Sequence, residues 1–139
     1  MNIEHFDDLL RAARAQPQPQ CLLLVFVQVE LPEDSSEAER ADFEAGQGGA
    51  LVPLMSVDLA PDRIAVLTGF EQLRAEADGR SAGWQMVLAG AMGGQAGRAP
   101  DDAAVGSALD RLVQRVQMGD IDGLIPFNRA GEALELRTP

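Results

Sequence analysis

The chain has no lysine and no tyrosine, and only one histidine (His5) and one cysteine (Cys21) in 139 residues. Each absence removes a class of chemistry. Without lysine there is no Schiff-base catalysis, no Walker-type phosphate lysine and no lysine general base. A single cysteine beside a single histidine excludes a Cys/His metal site and any disulfide within the chain, and fits a reducing compartment. Serine–histidine–carboxylate catalysis would have to recruit His5, and no G-x-S-x-G is present. Aromatic residues make up 4% of the chain, so the expected core is built from Leu, Val, Ala and Met. The longest apolar run, Cys21 to Val27, is far too short to cross a bilayer. The acidic N-terminal MNIEHFDD lacks the basic region of an export signal. A cytoplasmic location is expected.

What the chain does carry is acid. Against 11 arginines stand 22 carboxylates, a formal charge of −11. Such a surface is repelled by phosphate backbones and by anionic lipid, so neither nucleic acid nor membrane is an expected partner. Solubility is the simplest role for the charge. A length of 139 residues with 46% hydrophobic content fits one domain with a real core.

Periodicity then orders the chain. Asn2 is placed to cap a first helix, whose stripe Phe6, Leu9, Leu10, Ala13 follows i, i+3, i+4, i+7 and stops near Ala15, before QPQPQ. His5 lies off that stripe and reads as an ordinary surface histidine. Cys21 to Leu31 is a continuous apolar run flanked by prolines, the pattern of a central strand buried on both faces. Cys21 heads it as a small packing residue.

The acidic segment 30–44 contains a capping box, Ser36-x-x-Glu39, which opens a short surface helix. Only Phe43 and the alanines give that helix an apolar side. Its carboxylates lack the ordered spacing of a calcium loop, so a solvated face is expected rather than a metal site. Gly46 is placed as a helix C′ residue, and Gly48 and Gly49 supply the turn into a strand over Leu51–Val57. One helix is expected from Pro61 to about Ala77, a strand over Trp84–Met92, and the clearest helix from Asp102 to Gly119. Leu124–Phe127 and Ala133–Leu136 flank Asn128-Arg129-Ala130-Gly131 as a terminal hairpin. Pro126 suggests an edge strand.

The expected fold is therefore a single-domain α/β sandwich over 1–139. It would hold a mixed sheet of about five strands with helices packed on it and a C-terminal β-hairpin.

One stretch has the order in which α/β proteins build sites. Trp84–Asp102 runs from strand through a glycine loop to a helix. Gly93, Gly94 and Gly97 would let backbone amides approach an anion, and Arg98 could add a bidentate partner. These four are the candidate ligand-binding residues. Against them, the spacing is neither G-x-G-x-x-G nor Walker A, and Asp101 and Asp102 already fill the helix N-terminus with the chain's own carboxylates. A plain strand–helix connection is the simpler expectation. No catalytic residue, metal ligand or cofactor is assigned. The acidic pairs Asp7/Asp8, Asp101/Asp102 and Asp120/Asp122 fit capping and turn chemistry.

Four segments together resemble a known family: Val29-Glu30-Leu31-Pro32, Phe43 to Leu51 (FEAGQGGAL), Gly97-Arg98-Ala99-Pro100 and Phe127-Asn128-Arg129-Ala130-Gly131. The chain resembles a family of small uncharacterised proteobacterial proteins often labelled "ribonucleotide reductase subunit alpha". The resemblance implies no site residues. The label itself implies a large barrel, a thiyl-radical cysteine and a redox pair of cysteines, which one cysteine in 139 residues cannot supply. The expected function is a non-enzymatic interaction or regulatory domain that binds another protein or a second copy of itself. The rival is a small-molecule or nucleotide-binding enzyme using the 93–98 loop.

Overall fold

The computed structural model describes residues 2–31, 35–44 and 49–135. Gly46, Gly48, Leu136 and the side chain of Phe43, to which the sequence assigns roles, lie outside the described residues. The elements run α1 (Phe6–Arg14), β1 (Gln20–Glu30), α2 (Glu37–Glu44), β2 (Ala50–Leu59), α3 (Pro61–Val66), α4 (Phe70–Arg80), β3 (Met86–Gly93), α5 (Asp102–Gln117) and β4 (Ile125–Phe127). Helices and sheet form the expected α/β layers. The sheet differs from expectation: among the described residues it has four strands in the order β2-β1-β3-β4, and every pairing is antiparallel rather than mixed.

β1 is central, as its unbroken apolar run predicts, and Cys21 to Val27 are all buried. Alternate side chains feed two cores. Leu22, Leu24 and Phe26 join Phe6, Leu10, Phe70, Trp84 and Phe127 under α1, α3 and α4. Cys21, Leu23, Val25 and Val27 join Val105, Leu112 and Val116 under α5. Trp84, expected inside a strand, precedes β3 and lies edge-on to Phe26 at 5.0 Å.

The single helix expected over 61–77 is two. Leu67-Thr68-Gly69 separates α3 from α4, and α1 supplies both missing caps. Arg14 donates to the carbonyls of Ile64 (2.9 and 2.8 Å) and Leu67 (2.6 Å) at the end of α3. The Asp7 carboxylate accepts the Phe70 N–H at 2.8 Å at the start of α4. A cation at a helix C-terminus and an anion at an N-terminus each suit the helix dipole, so the break is stabilised from outside its own sequence.

The cap of α1 is His5 rather than Asn2. His5 Nδ1 accepts the Asp7 N–H at 3.0 Å, Asp8 returns a bond to the His5 N–H, and Nε2 donates to the Ala130 carbonyl at 3.0 Å. The Nε2–H tautomer satisfies both ring contacts. Of the expected hairpin the described residues form only a bridge: Phe127 pairs with Ala133, and Leu134 N–H donates to Pro126 O at 2.9 Å. Pro126 is on the edge strand β4, as its missing donor suggests.

β2 forms the opposite edge. Its register with β1 slips between Phe26 and Val27, leaving Leu54 without a partner, a β-bulge. Pro53 opposes Val27, whose carbonyl accepts from Gln85 N–H on the β3 side. Residues in that phase of the ladder turn their backbone groups away from each other. The donor that Pro53 lacks would therefore have faced the open edge.

Candidate functional site

The glycine loop is a tight turn whose amides already have partners. Ala96 (φ 53°) and Gly97 (φ 75°) are both left-handed, the geometry of a type I′ turn. Gln95 and Arg98 exchange backbone bonds of 3.0 and 2.9 Å across it. Gly94 N–H donates to Pro19 O at 2.8 Å, and Gly97 N–H to the Gln18 side chain at 2.7 Å. Gly94 is required because a Cβ there would collide with the Arg98 carbonyl. Gly93 ends β3 opposite Gln20. The structure therefore sets Gly94 and Gly97 in or beside one turn and Gly93 at the end of β3 leading into it, for packing and turn reasons, with the N–H groups of Gly94 and Gly97 directed at the chain itself. Arg98 is exposed beside them. Asp101 caps α5 by accepting the Ala104 N–H at 2.7 Å, as its position implies.

The two side chains with most chemical potential are committed to structure. His5 is held at both ring nitrogens. Cys21 is buried in the α5 core, and desolvation, helped by Asp58 and Asp102, pushes its thiol up to about 11, so it is neutral at pH 7. Among the described residues no cluster of three or more His, Cys, Asp or Glu could hold a metal ion. No helix among them is long and apolar enough to cross a membrane.

Arg129, from the turn that sequence places at the hairpin, forms a lock. Its guanidinium lies 4.3 Å above the Trp84 ring and makes a bidentate pair with Asp78 at 2.8 and 3.0 Å. That hydrogen bond holds the Asp78 carboxyl below the usual range.

Two clefts remain. One, of about 230 Å³, lies beside β2, where Arg63 and Glu76 pair with each other. The larger, of about 360 Å³, lies between α5, β3 and the loop 119–124. Leu23, Leu112 and Leu124 give it apolar walls, and the Leu124 side chain packs close over Gly90, where a Cβ would lie 3.1 Å from its Cδ2. Two arginines one turn apart on α5 flank it. Arg115 is fixed by Asp120 (3.1 and 3.4 Å) and by the Asp122 carbonyl (2.6 Å). Arg111 is exposed and makes no hydrogen bond or ion pair among the described residues. Sequence reasoning missed this place. The available signal was Arg111-x-x-x-Arg115 near the end of α5, followed by the acidic turn Asp120-Ile121-Asp122.

The third distinctive surface is α2. The capping box forms as expected, with Glu39 N–H to Ser36 Oγ at 3.1 Å and Ser36 N–H to the Glu39 carboxylate at 3.2 Å. Every side chain from Glu37 to Ala41 is exposed.

No family model, curated protein or solved structure matches the chain.

Proposed function

We propose that the chain is a non-enzymatic, cytoplasmic interaction domain that binds another protein through the acidic helix α2. The observation that carries this reading is the exposure of α2. An eight-residue helix has little stability of its own in water, and the side chains of Glu37–Ala41 stand exposed to solvent. A partner with a basic, groove-like surface would cover them. The structural commitment of His5 and Cys21 supports binding over catalysis. Membership of the small proteobacterial family is part of the same proposal, supported by the four segments that resemble it. A second copy of the chain as partner would have to meet it away from the outer edge of β2, where Pro53 and the bulge weaken pairing.

The test is affinity capture from cell extract with three baits. One is the wild type, one carries Glu37→Lys with Ala41→Lys, and one carries Asp110→Lys with Gln114→Lys, which changes the net charge by the same amount elsewhere. A partner held by the first and third baits, and lost from the second, is the expected result. The same proteins on all three, or none on any, would count against α2.

A further inference from the structure

We infer that the cleft between α5, β3 and the loop 119–124 binds a small apolar carboxylic acid, with Arg111 as the carboxylate anchor. The cleft's volume, about 360 Å³, falls at the small end of ligand sites. Its apolar surface comes from Leu23, Leu112 and Leu124, which belong to or border the core under α5. That surface suits a hydrocarbon or aromatic body.

The charge pattern selects the other end of the ligand. In a chain of net charge −11, most arginines are engaged: with carboxylates at Arg11, Arg63, Arg74, Arg115 and Arg129, and with carbonyls at Arg14. Arg111 is one of the few described arginines with no such partner, and it stands at the cleft. A guanidinium presents a planar fork of donors that fits a carboxylate in two parallel bonds.

The cleft wall is preformed. Arg115 ties Asp120 and Asp122 to the helix, Asp120 N–H donates to Arg115 O at 2.9 Å, and Leu124 N–H donates to Ile121 O at 3.0 Å. A rigid wall reduces the ordering cost of binding. Asp122 also lines the cleft, and its carboxylate accepts no hydrogen bond among the described residues. It offers a place for an ammonium group, so an apolar α-amino acid and its des-amino analogue share the anchoring chemistry and differ at Asp122.

The experiment is a thermal-shift and calorimetric titration of the full chain with four probes: leucine, phenylalanine, 4-methylpentanoate and 3-phenylpropionate. The amide 4-methylpentanamide serves as the neutral control. A saturable rise in Tm with a carboxylate probe, and none with the amide, is expected. Arg111→Gln loses no internal partner and should fold as the wild type, with affinity reduced about tenfold or more. Ala108→Leu adds bulk at the cleft on a helical position and should abolish binding. If amino acids bind better than their des-amino analogues, Asp122→Asn should remove that preference while leaving the carboxylate anchor intact. The inference is overturned if no carboxylate probe raises Tm, or if Arg111→Gln binds the probes as tightly as the wild type does. Neither outcome involves α2, so this test and that of the proposed function can fail separately.

Discussion

At the scale of single residues, the sites that look chemical in the sequence turn out to hold the fold. Gly131 shows how tightly. It has φ +84°, and a Cβ there would lie 2.8 Å from His5 Nε2 and 2.9 Å from the Phe70 ring. Its carbonyl accepts the Phe6 N–H at 2.8 Å. A left-handed alanine costs roughly 1–2 kcal/mol before any clash. Gly131→Ala should therefore lower Tm by about 5–10 °C in a thermal melt, and an unchanged melt would contradict the contact. Cys21 gives a second check. Its thiol, raised to about 11 by burial and the nearby carboxylates, should resist a thiol reagent at pH 8 in the native protein and react at once in denaturant. Because the raised value belongs to the folded state, its contribution to stability is lost as the pH climbs from the unfolded thiol's range through 11.

At the scale of elements, legibility followed locality. β1, the Ser36/Glu39 capping box and α5 were readable because continuous burial, capping spacing and a long i, i+3, i+4 stripe are written in adjacent residues. The break between α3 and α4 was not. Its stabilising groups, Asp7 and Arg14, come from α1, more than fifty positions away, and a local pattern can show only the weakness at Gly69. The helix cap at His5 is local, a capping box with Asp8, but histidine is not among the residues that signal a cap in sequence; only its further bond to Ala130 comes from afar. Strand direction was the largest error. A helix between strands suggests parallel crossovers, but helix-linked strands here are antiparallel neighbours at β1/β2 and β3/β4. The candidate loop was legible as a loop and misleading as a site, because nothing in Gly93–Arg98 reveals that Pro19 and Gln18 take up its amides. Pro53 carries an element-scale prediction. Pro53→Val would restore a donor facing outward on β2, and light scattering should then show concentration-dependent association absent from the wild type. An equally monodisperse variant would mean the proline is not what blunts that edge.

At the scale of the molecule, charge sets the pH response. Asp8, Asp78 and Asp120 are held below their ordinary value of 3.8, chiefly by hydrogen bonds from the Glu4 amide, Arg129 and Arg115 respectively. Groups lowered on folding stabilise the native state above the unfolded pKa, and that stabilisation is lost as pH falls through the folded values. Self-repulsion of the −11 surface acts in the opposite sense and eases as carboxylates begin to titrate. Tm should accordingly hold or rise slightly from pH 7 towards 5 and drop steeply below about 4. A Tm that stays level below pH 4 would show that the ion pairs at Asp78 and Asp120 matter less than their geometry indicates, and a fall beginning at pH 7 would show that self-repulsion does not govern the neutral range.

The same charge surface underlies the functional reading, in which the exposed acidic side chains of α2 are presented to another protein. The most direct measurement is the salt-dependent capture of that partner by the wild type and by the Glu37→Lys, Ala41→Lys variant. Capture should weaken as ionic strength rises and be lost in the α2 variant, while Asp110→Lys with Gln114→Lys retains it. Equal capture by both variants at every salt concentration would contradict a binding role for α2.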